Sequence, residues 1–456
     1  MKFGFNIRLT GLIGGLLFLA ASAGQAQMNK IEFTEYTLDN GLHVILHHDK
    51  SAPVISTLLH YRVGSRDEEQ NRTGFAHFFE HLMFEGTNNI PRATIDKYIQ
   101  EAGGSLNAYT SFDETVYFFQ MPANELPLAL WIESQRMGQL LVDQKGVETQ
   151  RGVVKEERNQ RYDNQAYGSL FEKMCSRIFA GGYYSWTPIG SAQHIDSAAI
   201  SEFQDFYRRF YQPNNATLVV AGDFDDDLAR EYISSYFGQY SKGKDPHRAE
   251  LNMPDLKGEQ REKIYDDKAQ LPAVFVGYRG PEIGAEDFYP MSMLLDIMSA
   301  GESSRLFQRL VSEDRIAVQA AASPWSFQQS GIVAFIGVSD VGKDIGMVEK
   351  TIYEEIDRVI AEGVTEEEFQ KAKNIKEAEF VQGKKNVFSK SQALARYHTY
   401  FGDADLINTE IKYFQNVTRA DLQRVAKKYF GKDDRVVLTY VPASGGENTP
   451  PSGSGE

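Results

Sequence analysis

The sequence predicts an α+β protein built from two copies of one α/β-sandwich domain. Three observations point to it. Strand-like and helix-like segments alternate through the first half. A polar stretch at 241–262, with Pro246, Pro254 and no apolar period, then interrupts the pattern. Beyond it the plan returns: residues 273–278 correspond to 54–61, 289–299 to the helix at 73–85, and 435–440 to 217–222. A repeat of about 200 residues is a duplicated domain, too long for a solenoid unit. The expected divisions are a leader at 1–26, a first domain at 27–240, a linker at 241–262, a second domain at 263–444, and a Gly/Ser/Pro-rich disordered tail at 445–456.

In the leader, Lys2 and Arg8 precede an apolar run at 12–23, and small residues follow at Ala21-Ser22-Ala23 and Gly24-Gln25-Ala26. This is the pattern of a secretory signal peptide. The run is too short and too rich in Gly and Ala for a membrane span. No cysteine lies near it to carry a lipid anchor, so the mature chain is expected in the periplasm or outside the cell. Residues 32–38 and 43–46 read as strands around the turn Asp39-Asn40-Gly41. His47 and His48 follow; adjacent residues point apart in a strand, so the pair is read as surface loop. A third strand spans 54–61, and 64–72 is a polar loop. A helix begins at 91–94 and stops at Gly103-Gly104. Strands at 105–110 and 114–120 come next, then helices at 126–141, 147–162, 170–179 and 200–210. A strand at 217–222 and a helix at 227–237 close the half.

Composition narrows function. The chain has 456 residues, 42% hydrophobic and 24% charged, with net charge −15. That is globular content for two or more domains. The acidic balance argues against nucleic-acid binding, which calls for a basic patch. The single cysteine, Cys175, rules out an internal disulfide framework and a cysteine zinc site. It reads as a small buried apolar residue.

The chemistry is carried by His77-Phe78-Phe79-Glu80-His81. Phe75, Phe78, Phe79 and Leu82 recur at helical spacing, so the segment is a helix with one buried apolar face. His77 and His81 stand one turn apart on one side, with Glu80 able to aim at the same point. Three ionisable groups on so apolar a helix are costly unless something pairs them, and a metal is the simplest partner. Imidazole nitrogens, an acidic third ligand and an open position suit zinc. His-x-x-Glu-His is the inverted zincin order. A third ligand is expected from the helix Val153-Val154-Lys155-Glu156-Glu157. Glu157 shares the inward face of Val153 and Val154, whereas Glu156 turns toward solvent.

These motifs resemble the pitrilysin family of inverzincin metallopeptidases, particularly its two-domain bacterial branch and the mitochondrial processing peptidase. Further similarities lie at 104–115, at 210–216, at 220–224 and in Gly301-Glu302-Ser303-Ser304-Arg305-Leu306. The resemblance covers roughly residues 30 to 445 and is most specific in the first half. It implies sandwich domains of the processing-peptidase type, each a mixed, largely antiparallel sheet with helices on one side. It also implies a zinc endopeptidase that cleaves peptides or unfolded segments in a closed chamber. One Zn2+ per chain would be held by His77, His81 and Glu157, with Glu80 as general base. Asn107 and Ala108 would give backbone hydrogen bonds to a peptide added as a strand; an ordinary edge strand fits the same residues. Position 150, often acidic in the family, is Gln150 here. Active members carry an Arg and, seven residues on, a Tyr in the second half. Alignment on Ser304-Arg305-Leu306 puts Val311 and Val318 at those positions, and seven residues after Arg309 and Arg315 stand Ile316 and Ala322. The resemblance therefore implies a heterodimer with a related chain that carries the pair; a homodimer is the alternative. A non-catalytic binding member of the family, or a zinc hydrolase of non-peptide substrates, are the competing functions.

Overall fold

The protein is described from a computed structural model covering residues 30–248 and 253–443. The expected leader and tail lie outside the described residues. The first half runs β1 (Thr34–Thr37), β2 (His43–His48), β3 (Val54–Tyr61), α1 (Phe75–Leu82), α2 (Ile95–Glu101), β4 (Ser105–Thr110), β5 (Thr115–Pro122), α3 (Leu126–Gln139), α4 (Gln144–Arg158), α5 (Leu170–Ile178), α6 (Ala192–Ser197), α7 (Ile200–Phe210), β6 (Ala216–Gly222) and α8 (Asp226–Phe237). The second runs β7 (Gln260–Asp266), β8 (Ala273–Gly280), α9 (Phe288–Ser299), β9 (Ala317–Ser326), β10 (Gly331–Ser339), α10 (Ile345–Glu362), α11 (Glu366–Gln382), α12 (Val387–Phe401), α13 (Leu406–Thr409), α14 (Ile411–Asn416), α15 (Arg419–Tyr429) and β11 (Arg435–Pro442).

The duplication is visible in the strand order. One sheet is β1-β2-β6-β3-β5-β4 and the other β7-β11-β8-β10-β9. Apart from β1, the orders match strand for strand. In each, one parallel pair (β2 with β6, β7 with β11) is followed by antiparallel pairs. The fold is thus two duplicated α/β sandwiches with mixed, largely antiparallel sheets. β7 begins inside the stretch expected to be linker. It is an edge strand with alternate residues exposed, and its Gln-Arg-Glu-Lys start hides the period.

Each sheet carries its own helices on one face. Phe75, Phe78, Phe79 and Leu82 of α1 join Phe203, Phe206 and Phe210 of α7 and Leu59, Tyr117 and Phe119 of the first sheet in one buried core. Met293, Leu294 and Ile297 of α9 do the same with Ile352, Ile356, Leu422 and Val437 in the second. The other face of each sheet is covered by a helix from the opposite half. On the first sheet, Phe388 of α12 stacks on Phe118 at 4.3 Å, and Ser391 Oγ meets Ser56 Oγ at 2.9 Å. On the second, Met174, Cys175 and Ile178 of α5 pack against Phe275, Val436 and Leu438. This double cover explains why every residue of β6 is buried. Cys175 is fully buried, and burial pushes its thiol up, away from reactivity. His47 is also buried, within β2 rather than in a loop, and points away from exposed His48.

Candidate metal centre

Helix α1 is fixed from both ends and from behind. Phe75 stacks on Phe203 at 4.6 Å, and Tyr117 OH donates to the Phe79 carbonyl at 3.2 Å. At its start, Gly74 has φ +95°, and a Cβ there would meet the Ile189 carbonyl at 2.9 Å, so only glycine fits. Glu68 then accepts the N–H groups of Gly74 at 2.9 Å and Ala76 at 2.8 Å, satisfying donors the helix cannot. Trp186 Nε1 donates to the same carboxylate at 3.0 Å. Burial pushes the Glu68 carboxyl up to about 8 against these bonds. Nothing in the polar run around Glu68 marks it as a cap for a helix several residues on.

The structure brings His77, His81 and Glu157 together. Their ligand atoms all lie within 4.8 Å of one another. His81 Nε2 stands 3.0 Å and His77 Nε2 3.5 Å from the same oxygen, Glu157 Oε2. Ligand atoms around a tetrahedral ion with bonds of about 2.0–2.1 Å lie roughly 3.4 Å apart. The spacing therefore fits one zinc ion, and the donor set of two imidazoles and a carboxylate fits its chemistry. Hydrogen bonds from His77 and then His81 hold the Glu157 carboxyl well below the usual range. Its second oxygen, Oε1, accepts Arg161 Nη1 at 2.6 Å, which fixes the carboxylate's rotation. His77 Nδ1 is buried without a partner, so packing orients that ring.

Glu157 lies on α4 as expected, but the two valines before it do not share one inward face. Val154 is buried, whereas Val153 is 45% exposed. Glu157 shares a face only with Val154. Glu156 is exposed and accepts Gln160 Nε2 at 2.7 Å. Gln150 Nε2 donates to Glu85 Oε1 at 2.6 Å, so its amide holds the end of the α1 segment and adds no charge.

Glu80 sits beside these ligands on the wall of a cavity of about 870 Å³ that also takes in His77, Glu157 and residues 107–114. Thr110 Oγ1 donates to Glu80 Oε2 at 2.7 Å. Thr110 ends β4, the edge strand of the first sheet. The β4–β5 register decides which backbone groups are open. Ser111 N–H bonds to the Glu114 carbonyl at 2.8 Å, and β4 pairs antiparallel with β5 from there back. Alternation turns the backbone of Asn107 and Tyr109 to β5 and that of Ala108 and Thr110 to the open edge. The expected backbone contact from Asn107 is therefore not available. Its Oδ1 instead accepts the Ala108 N–H at 2.9 Å. Val311 packs against the second core, and Val318 is 49% exposed at the start of β9; neither lines the cavity.

A second set of donors, Glu35, His43 and His398, also lies within 4.8 Å. Its two rings are stacked 3.6 Å apart and within 2° of parallel. Imidazole lone pairs lie in the ring plane, so parallel rings do not aim at one ion. This set fits a metal poorly.

Two family profiles match the chain. Residues 43–185 match "Insulinase (Peptidase family M16)", and 198–376 match "Peptidase M16 inactive domain". The chain is 29% identical to the zinc protease PqqE of Helicobacter pylori over 440 residues, 95% of this chain and 98% of that one. It is 23% identical to the uncharacterized zinc protease YmxG of Bacillus subtilis, over 88% of this chain and 97% of that one. The crystal structure of a protease from Helicobacter pylori superposes with a TM-score of 0.85 at 28% identity, covering 91% of this chain and all of that one. The first half of the periplasmic protease PqqL from Escherichia coli shares the fold, with a TM-score of 0.75 at 22% identity over 90% of this chain and 92% of that one. The two matches together span most of residues 43–376, and the protein belongs to the pitrilysin-type peptidase family M16.

Proposed function

We propose that this chain is the zinc-bearing subunit of an exported endopeptidase that cleaves peptides or unfolded segments. The observation that carries the reading is the meeting of His77, His81 and Glu157, with His77 and Glu157 beside Glu80 on one cavity wall. Zinc held by the three ligands would supply Lewis acidity and make water a nucleophile at neutral pH. Glu80 is the general base: it takes the proton of the attacking water and delivers it to the leaving amine. Thr110 holds Glu80 in place through one of its oxygens. An extended peptide adds to the open edge of β4, bonded to the backbone of Ala108 and Thr110.

The chain's own second half offers no donor at positions 311 and 318 to polarise the scissile carbonyl. A related chain bearing Arg and Tyr is proposed to complete the enzyme as a heterodimer. The leader pattern at 1–26 supports a periplasmic location. The test is hydrolysis of quenched peptides by the chain alone, by the candidate partner alone and by a one-to-one mixture, each with and without chelator. Chelator-sensitive activity confined to the mixture is the expected result. Strong peptidase activity from this chain alone sinks the heterodimer, and chelator-resistant activity sinks the zinc reading.

A further inference from the structure

The cavity has a second charged wall, and it comes from the other half of the chain. Ser389, Gln392, Ala393, Arg396 and Tyr400 of α12 line it at helical spacing. The opposite stripe of α12 packs on the first sheet, so the lining stripe is held rigidly. Arg396 is exposed, with its side chain open to the cavity. Among the described residues it makes no ion pair and no hydrogen bond. Its near neighbour is the Tyr400 ring, 5.7 Å from the guanidinium carbon to the centroid. Glu114 balances it through space but fills none of its donors. A guanidinium carries five N–H donors in a planar fork that matches a carboxylate.

The strand register places this group relative to a bound peptide. On β4, Thr110 faces α1 and reaches Glu80, while Asn107 and Tyr109 face the other way. Phe118, opposite Asn107, packs on Phe388, so that other face is the α12 face. A peptide lying along the open edge of β4 continues the alternation. Every second side chain points toward the metal ligands, and those between point toward α12.

We infer that Arg396, with Gln392 beside it, binds a carboxylate of the substrate and gives this enzyme a preference for anionic peptides. The carboxylate is either an Asp or Glu side chain directed at α12 or the peptide's own C-terminus. This rests on the peptidase reading and adds to it the substrate class. The basis is this fork, which has no partner among the described residues: of the carboxylates in the same lining, Asp113 already accepts Arg66 at 3.0 Å, Tyr184 OH at 2.7 Å and Gln328 N–H at 2.8 Å, and Glu114 Oε2 stands 3.1 Å from His60 Nε2 rather than on Arg396.

Binding is measured to the zinc-loaded Glu80→Gln protein in its working assembly, so that no peptide is consumed. The probes are ten-residue peptides with an N-terminal dansyl group. One set has a free C-terminus and no acidic residue, one is amidated and neutral, and one is amidated with a single Glu moved along the sequence. Carboxylate peptides are expected to bind about ten-fold or more tightly than the neutral amide. Arg396→Gln should erase that preference while leaving the neutral peptide's Kd unchanged, and Arg396→Lys should restore part of it. Preference following the free terminus assigns that carboxylate; preference following Glu at alternate positions assigns the side chain. Equal binding of all peptides, or an Arg396→Gln protein that keeps the preference, overturns the inference and leaves the peptidase reading standing. Failure of every peptide to bind saturably overturns both.

Discussion

Replacing Ala108 and Asn107 by proline, one at a time, separates the two edges of β4. Proline lacks the N–H, so its effect depends on where that group points. The Ala108 N–H is on the open edge and bonds only to the Asn107 side chain. Ala108→Pro removes no ladder bond, and edge strands accept proline on that side. Its cost in stability is expected to stay within about 1 kcal/mol. The Asn107 N–H faces Phe118 across the ladder. Asn107→Pro leaves a strand carbonyl unpaired and should cost about 1–3 kcal/mol. Peptide binding should rank the other way. Ala108→Pro loses one backbone bond to an added strand, about 0.5–1.5 kcal/mol, or roughly two- to twelve-fold in Kd. Urea unfolding and peptide titration of the two variants in the Glu80→Gln background read both quantities. If Ala108→Pro is the more destabilised, the register is wrong. If it binds peptide like the parent protein, substrates do not add to β4.

Two further outcomes concern the ground on which the site stands. Glu133 and Arg136 are both fully buried, 2.6 Å apart, with the guanidinium within 5.2 Å of the Phe84, Tyr117 and Phe119 rings. Glu133→Leu strands the guanidinium and should cost about 3–5 kcal/mol, while Glu133→Leu with Arg136→Met should recover most of it; equal losses in single and double variants refute the pairing. Burial holds His60 down to about 3 and, with His43 beside it, His398 down to about 4. Unfolded histidine binds its proton near 6.5, so both contribute stability that is present above pH 6.5 and lost as pH falls toward those values. His60 is fully buried with Nε2 3.1 Å from Glu114 Oε2, a carboxylate that opposes part of the burial effect, and His60→Gln should flatten the acid limb of a urea-unfolding series. An unchanged slope refutes it.

Much of this architecture can be read from residues because local pattern and tertiary role coincide. The strand at 54–61, the strand at 105–110 and the helix at 200–210 coincide with β3, β4 and α7. There alternation or helical spacing matches the buried face. His77 and His81 were legible for the same reason, being one turn apart on a helix whose apolar face is unmistakable. The second half resists. Ala-rich β9 offers few β-branched residues, and the alternation of β7, read as linker at its start, is hidden by charge. α12 presents apolar residues to a sheet from the other half and polar ones to a cavity. Nothing local distinguishes those two surfaces from core and solvent. Thr110's bond to Glu80 and Arg396's place on the far wall depend on chain segments brought together only by the fold. Glu157 lay between these cases. Its helix was evident, but one of the two valines used to orient it points outward.

The account rests on a metal held by three side chains and a base that is not a ligand. Zinc content and peptide hydrolysis, measured side by side on the assembled protein and its Glu80→Gln and His81→Ala variants, test that division most directly. The account predicts about one zinc per chain in the parent and in Glu80→Gln, with hydrolysis reduced at least 10²–10⁴-fold in the latter, and loss of both zinc and hydrolysis in His81→Ala. A Glu80→Gln protein that cleaves peptides at the parent rate, or a His81→Ala protein that keeps its zinc, would contradict it.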